Sequence, residues 1–136
     1  LNPHAKFLHE GPARIVIFTT HQTSKEQLAP LRLQGVEVFV HAGERVDLEK
    51  MLQTLKELGI NRLMVEGGAT LNFELLRLGL VDEVTAYMAP MIFGGASAPT
   101  MVAGSGFERS AALPLKLVHV EKWDDGGVLL KYQLEK

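Results

Sequence analysis

The sequence of 136 residues contains no cysteine, and it carries little excess charge of either sign. Without cysteine there is no disulfide framework, thiolate nucleophile or cysteine-ligated zinc, so we expect a reducing, cytoplasmic setting. The 14 basic and 16 acidic residues give a net charge of −2, and no basic stretch could follow a phosphate backbone, so we expect no nucleic-acid partner. The longest apolar runs are far shorter than the roughly 20 residues that a bilayer-spanning helix needs, so we expect no membrane partner.

The residues that are present have the composition of one globular domain, since 46% are hydrophobic and 22% are charged. At this length, folding buries about two-thirds of the surface that the unfolded chain exposes, which is enough for a core without a metal or a disulfide. We therefore predict that residues 1–136 form a single domain. The histidines show no i, i+4 pairing with each other or with glutamate, so we expect no metal site.

Strand-like runs of apolar and β-branched residues recur along the chain. They lie at residues 13–20, 36–40, 62–66, 81–88, 115–123 and 127–134. The last two runs flank an Asp-Asp-Gly-Gly turn, whose glycines supply the positive φ values of an antiparallel hairpin. Because the earlier runs alternate with helical patterns, we predict an α/β fold with a mixed, mainly parallel sheet flanked by helices and a C-terminal antiparallel hairpin.

Helix signals separate the first strand-like runs. Ser24 or Thr23 can cap a short helix, which we expect Pro30 to end. Asp47 can accept hydrogen bonds from the first-turn amides of a longer helix, whose apolar residues share one face. Gly59 is placed to end that helix in the left-handed conformation.

The segment with the strongest chemical signal begins at Glu66. Gly67 and Gly68 let the backbone approach a ligand closely, and the free amides of the helix that follows form a site for phosphate or pyrophosphate, beside the Thr70 hydroxyl. A tight connection that binds nothing is the alternative. Glu66 ends a predicted buried strand, where open α/β sheets bind ligands, so we expect it to face a ligand. A carboxylate satisfied by helix amides or by an arginine is its alternative.

Several motifs, in order and correctly spaced, resemble those of one family. They are residues 63–71 (Leu-Met-Val-Glu-Gly-Gly-Ala-Thr-Leu), 78–83 (Leu-Gly-Leu-Val-Asp-Glu), 89–90 (Ala-Pro) and 92–95 (Ile-Phe-Gly-Gly). From about residue 13 onward the sequence resembles the reductases of riboflavin biosynthesis, whose fold is that of dihydrofolate reductase. Residues 92–100 and 104–107 are more similar to the stand-alone archaeal form than to the reductase half of the bacterial bifunctional deaminase-reductase.

The resemblance implies hydride transfer from NADPH to C1′ of the ribose of a ribosylaminopyrimidine 5′-phosphate, which gives a ribitylamino product. It assigns Glu66 to the substrate and identifies no catalytic proton donor. For Val46, which it places against the adenosine end of NADPH, a position in the ordinary core is the alternative. The positions that it assigns to the cofactor are Val46, Gly67, Gly68, Ala69, Thr70 and Leu71.

The resemblance also implies that the given sequence comprises about the C-terminal two-thirds of the family's domain. The opening strand with its Ser-Leu-Asp-Gly-type motif, and the segments for the nicotinamide and the 2′-phosphate, have no counterpart in it. A non-catalytic nucleotide-binding or dimerisation module derived from this fold is therefore the alternative function. The predicted strand at 81–88 carries bulky or apolar groups on each face, and the run at 115–123 adds more apolar surface than a small sheet needs on one side. These features favour a homodimer through the C-terminal half, as the family resemblance also implies.

Overall fold

A computed structural model describes residues 2 and 5–135 of the chain. The chain divides between residues 62 and 63 into two compact units, which we call unit 1 and unit 2. The prediction that residues 1–136 form one domain stays a prediction.

Unit 1 contains a parallel pair of strands, β1 (Val16–Thr20) and β2 (Glu37–His41). Parallel neighbours need a crossover connection, which helix α1 (Lys25–Leu33) supplies, and helix α2 (Leu48–Glu57) follows β2. The unit buries a cluster of apolar side chains between α1, the strands and the preceding 3-10 turn. Its buried members are Leu8, Leu28, Leu31 and Val36.

Both helices of unit 1 begin at a residue whose side chain caps the first turn. The Ser24 hydroxyl accepts a hydrogen bond from the Gln27 amide at 3.3 Å, and the Gln27 side chain accepts one from the Ser24 amide at 3.0 Å. The Asp47 carboxylate accepts a hydrogen bond from the Lys50 amide at 3.1 Å. That hydrogen bond lowers the pKa of Asp47 from its ordinary value, and the Lys50 ammonium group at 3.5 Å acts in the same direction. The predicted caps at Ser24 and Asp47 are confirmed.

The prediction that Pro30 ends α1 is wrong, because the helix continues to Leu33. A proline inside a helix removes one backbone hydrogen bond and crowds the preceding turn. The burial of Leu28 and Leu31 on the core side of α1 offsets that cost, since each side chain is only 3% exposed.

The prediction of a buried strand at residues 62–66 is also wrong. Residues 60–68 have no regular secondary structure, and the side chains of Leu63, Met64 and Val65 are exposed. A strand exists only when a neighbour accepts and donates its backbone hydrogen bonds. No strand within the described part of the chain pairs with this run, so its apolar character alone does not make it a strand.

Unit 2 combines helix α3 (Ala69–Arg77) with an antiparallel sheet. The sheet contains β3 (Glu83–Met88), β4 (Leu115–Lys122) and β5 (Val128–Leu134), with β5 in the middle. The β4–β5 pair confirms the predicted hairpin, and the pairing of β3 with β5 adds a third strand that the hairpin prediction does not contain. The parallel pair, its helices and the C-terminal antiparallel sheet confirm the predicted α/β fold class.

The turn of the hairpin is tied to β3 by side chains. The Tyr87 hydroxyl donates a hydrogen bond to the Asp125 carboxylate, which also accepts one from the Gly127 amide at 2.9 Å. The hydrogen bond between Tyr87 and Asp125 raises the pKa of the tyrosine and lowers that of the aspartate. A Cβ atom on Gly127 would overlap the Tyr87 hydroxyl and ring, so a larger residue at this position would displace the tyrosine.

Strand β4 lies at an edge of its sheet and is exposed along its whole length. Leu115, Leu117 and Val120 are opposite alternate residues of β5, so these apolar side chains lie on one face of the sheet, where they are in contact with solvent. The apolar residues of β4 are between 43% and 55% exposed, and they are Leu115, Leu117, Val118 and Val120.

Candidate functional site

The two glycines before α3 leave open space at the start of the helix. Gly67 has a φ of +113°, a conformation that strains any residue with a side chain, and a Cβ atom there would lie 3.6 Å from Asn72 Nδ2. The peptide bond between Gly67 and Gly68 is cis. Gly68 is the N-cap residue with φ −67° and ψ 175°, and a Cβ atom on it would meet nothing within 4 Å.

Helix α3 begins without a side-chain cap. Gly68 has no side chain to accept a hydrogen bond, and the first turn contains no acidic residue. The first amides of an α-helix have no intrahelical acceptor, and the helix carries a partial positive charge at this end. The amides of Ala69, Thr70 and Leu71 therefore form an end to which an anion can bind, as the sequence predicts.

Glu66 is exposed and lies immediately before the glycines. Within residues 2 and 5–135, its carboxylate has neither a hydrogen-bond nor an ion-pair partner. The alternative in which helix amides or an arginine satisfy it is therefore not what the structure shows. Because residues 62–66 form no strand, Glu66 is not at a strand end, and its candidacy rests on its place beside the open turn.

Val46 belongs to unit 1, where it is half-buried just before the Asp47 cap. The end of β2 and the start of α2 line a cleft at this point, with His41, Arg45 and Lys50 among its lining residues. The Asp47 amide donates a hydrogen bond to His41 Nδ1 at 3.2 Å. The structure thus places Val46 in unit 1 and the residues from Gly67 to Leu71 together in unit 2.

A loop segment that sequence reasoning misses lies on the first turn of α3. The Ala103 amide donates a hydrogen bond to the Ala69 carbonyl at 3.1 Å, and Asn72 Nδ2 donates one to the Met101 carbonyl at 2.8 Å. Residues 101–108 belong to no helix or strand. No signal in the sequence connects this loop with a helix some 30 positions earlier, because loop contacts have no periodicity to detect.

Among residues 2 and 5–135, no three histidine or acidic side chains come close enough together to hold a metal ion. In that same part of the chain, no helix has the length and apolar character needed to cross a bilayer.

The fold and the turn define a class of protein, namely one with a mixed α/β fold in which a glycine turn leads into an uncapped helix. The chain belongs to the RibD C-terminal domain family, because the model of that family matches residues 1–129. The predicted family resemblance is thereby confirmed.

Curated relatives agree with this family. A 2,5-diamino-6-ribosylamino-4(3H)-pyrimidinone 5′-phosphate reductase from Methanothermobacter thermautotrophicus is 45% identical over 85% of this chain and 53% of its own length. A protein of the same name from Aquifex aeolicus is 42% identical over 77% of this chain and 47% of its own length. The chain thus spans about half the length of the curated relatives it matches.

The likeness extends to three dimensions. The structure of a pyrimidine reductase-like protein from Corynebacterium diphtheriae matches with a TM-score of 0.76 at 21% identity, over 89% of this chain and 50% of that chain. At this identity the likeness shows the fold alone, and it agrees with the predicted fold class.

Proposed function

We propose that the protein carrying this chain is an NADPH-dependent oxidoreductase of riboflavin biosynthesis. It transfers a hydride to C1′ of a ribosylaminopyrimidine 5′-phosphate and so converts the ribosylamino group into a ribitylamino group. The family of residues 1–129 and the names of the two relatives support this substrate class. The observation that carries the proposal is the uncapped N-terminus of α3 behind the open Gly68 position.

The residues of the turn fit a pyrophosphate. A ligand can approach the backbone at Gly68, where any other residue would place a Cβ atom, because among the described residues none beyond its two chain neighbours lies within 4 Å of that point. The amides of Ala69 and Thr70 point out of the helix end and favour negative charge, and the Thr70 hydroxyl adds a further donor. Leu71 is half-buried in the same turn, and we assign it an apolar contact beside the pyrophosphate.

NADPH, when bound, supplies the hydride. The chain contributes placement, because holding the pyrophosphate at the α3 amides restricts where the nicotinamide can lie. We assign Val46 to the adenosine end. Its position where a parallel strand pair ends supports the assignment, since α/β sheets bind ligands beyond the carboxyl ends of their strands.

We assign Glu66 to the substrate. An exposed carboxylate without an internal partner is available to accept hydrogen bonds from a hydroxyl or amino group, and such charged hydrogen bonds are stronger than neutral ones. Glu66 would therefore hold and orient the sugar or the pyrimidine, and no residue is assigned as the proton donor.

Kinetics of Glu66→Gln test this assignment. We expect kcat/KM for the pyrimidine substrate to fall about tenfold, because a charged hydrogen bond becomes a neutral one, while the Kd for NADPH from fluorescence titration stays the same. Glu108→Gln, which changes another exposed glutamate of unit 2, is the control and should change neither value. A loss of NADPH affinity in Glu66→Gln, or unaltered kinetics, contradicts the assignment. An intact wild-type protein that binds NADPH without turning over substrate favours the non-catalytic nucleotide-binding module.

We further propose a cytoplasmic homodimer that uses the C-terminal half of the chain. The exposed apolar side chains of β4 support the dimer, because patches of this kind commonly mark interfaces. The absence of cysteine supports a reducing compartment. Besides a second copy of itself, the partner that this function needs is the small-molecule substrate.

A further inference from the structure

The segment of residues 100–107, which we call the docking loop, makes polar and apolar contacts with the start of α3. Its Ala103 amide donates to the Ala69 carbonyl at 3.1 Å, and its Met101 carbonyl accepts from Asn72 Nδ2 at 2.8 Å. The ring of Phe107 lies against that of Phe73, with centroids 5.0 Å apart. The docking loop is therefore attached to the first turn of α3, the same turn whose free amides follow the glycines.

Asn72 connects the docking loop with the glycine turn. Its carboxamide nitrogen would lie 3.6 Å from a Cβ atom on Gly67 and its carboxamide oxygen 4.0 Å from that atom, so the side chain lies beside Gly67 while it donates to Met101. Two consecutive glycines give the backbone the widest range of conformations available to any dipeptide. A contact from outside the turn is needed to hold it in one of them.

The loop can dock in this way only because residue 104 is glycine. Gly104 has a φ of +86°, and a Cβ atom on it would lie 2.5 Å from the Phe73 ring. Any larger residue would push the docking loop away from α3. The absence of a side chain at Gly104 and the hydrogen bond from Asn72 thus both allow the docking loop to lie close to α3.

We propose that Asn72 is a positioning residue for the cofactor's pyrophosphate, acting through the docking loop to hold Gly67, Gly68 and the first α3 amides in their binding orientation. This inference rests on the proposed function. Amides that are already oriented bind an anion without a further loss of conformational entropy, so loosening them weakens the affinity for any ligand that contains the pyrophosphate. A ligand without a pyrophosphate is unaffected.

Affinity measurements with Asn72→Ala in the intact protein test this. We expect its Kd to rise about fivefold for both NADPH and ADP-ribose, because a loss of affinity of this size corresponds to one net hydrogen bond. The Kd for 2′-AMP, which has no pyrophosphate, should stay unchanged. At saturating NADPH, kcat should stay at the wild-type value while the KM for NADPH rises. Asn61→Ala is the matched control, since it removes a bond of the same kind, from Asn61 Nδ2 to the Gly59 carbonyl at 3.3 Å in unit 1, and leaves the contact of the loop with α3 unchanged. We expect wild-type affinities from it.

The outcomes separate this inference from the proposed function. Wild-type protein that does not bind NADPH overturns both. If the wild type binds NADPH and Asn72→Ala binds it with the same Kd, only the positioning role is overturned. An equal loss of affinity for 2′-AMP in Asn72→Ala has the same consequence. Gly104→Ala provides a second variant if Asn72→Ala does not fold, and it should weaken NADPH and ADP-ribose but not 2′-AMP. In a double-mutant cycle the two changes together should reduce the free energy of NADPH binding by less than the sum of their separate effects, because both release the same contact.

Discussion

Helices α2 and α3 begin in different ways. In α2 the Asp47 carboxylate accepts a hydrogen bond from the Lys50 amide, so an anion that belongs to the chain itself occupies the helix end. In α3 the corresponding residue is Gly68, which has no side chain, and no acidic residue follows in the first turn. A helix N-terminus is thus stabilised by a side chain of the chain itself in unit 1, whereas in unit 2 it is left available to a ligand.

The exposed apolar residues of the two units differ in a related way. In unit 1, β2 is half-buried except for Val40. In unit 2 every residue of β4 is exposed, including Leu117 and Val120. Helix α2 and strand β2 of unit 1 are therefore better covered than α3 and β4 of unit 2, and an open helix end with an open strand is the pattern expected where ligands and partners bind.

The largest expected effect concerns the strands. Val120→Lys should weaken the proposed homodimer at least ~30-fold, or about 2 kcal/mol, because a lysine would be buried at the contact without a partner. Val40→Lys, which places the same charge on β2 of unit 1, should leave the dimer intact. Light scattering coupled to size-exclusion chromatography over a micromolar dilution series measures both. A monomer mass for the wild-type protein ends the dimer proposal, and equal dimerisation in Val120→Lys removes β4 from the interface.

The next effect makes the start of α3 resemble that of α2. Gly68→Asp should weaken NADPH binding at least ~10-fold, or about 1.4 kcal/mol, because a carboxylate would occupy the position of the pyrophosphate. The same change should not lower the melting temperature, since aspartate is a good N-cap residue and a Cβ atom at this position meets no protein atom within 4 Å.

Fluorescence titration with NADPH and thermal melting measure these two quantities separately. Ala112→Asp adds the same charge at an exposed position elsewhere in unit 2 and serves as the control. If Gly68→Asp binds NADPH as tightly as the wild type does, the glycine turn is not part of the cofactor site, and the contrast between the two helix ends has no functional meaning.

The smallest effect is a pH dependence at the capped end. The hydrogen bond from the Lys50 amide lowers the pKa of Asp47 below its ordinary value, so the carboxylate stabilises the folded state above the pKa it has when unfolded. That contribution is lost as the pH falls through the lowered pKa of the folded state. Asp47→Asn should therefore melt below the wild type at pH 7, and the difference should shrink as the pH approaches 3. A difference that is constant from pH 7 to pH 3 would show that the charge of Asp47 plays no part.

Sequence reasoning predicts the features that depend on neighbouring residues. The caps at Ser24 and Asp47 and the β4–β5 hairpin follow from residue types within a few positions of one another. The outward-facing amides after Gly68 are predicted for the same reason, since the glycines directly precede the helix.

Features that depend on distant residues escape such reasoning. The run at 62–66 has the composition of a buried strand, but only a neighbouring strand could make it one. Pro30 is tolerated because side chains elsewhere cover its helix. The contact of Asn72 with Met101 joins residues 29 positions apart, and nothing in the spacing of either segment indicates it.

The glycine at position 127 has a consequence for how the C-terminal sheet is aligned. In the observed register Tyr87 is opposite Leu129, and its hydroxyl lies over Gly127. A slip of one residue would turn the tyrosine to the other face of the sheet, and a slip of two would bring Asp125 or Leu129, each with a side chain, to the place that must be empty. The space above one small residue thus favours the observed alignment of β3 with β5 over alignments shifted by one or two residues.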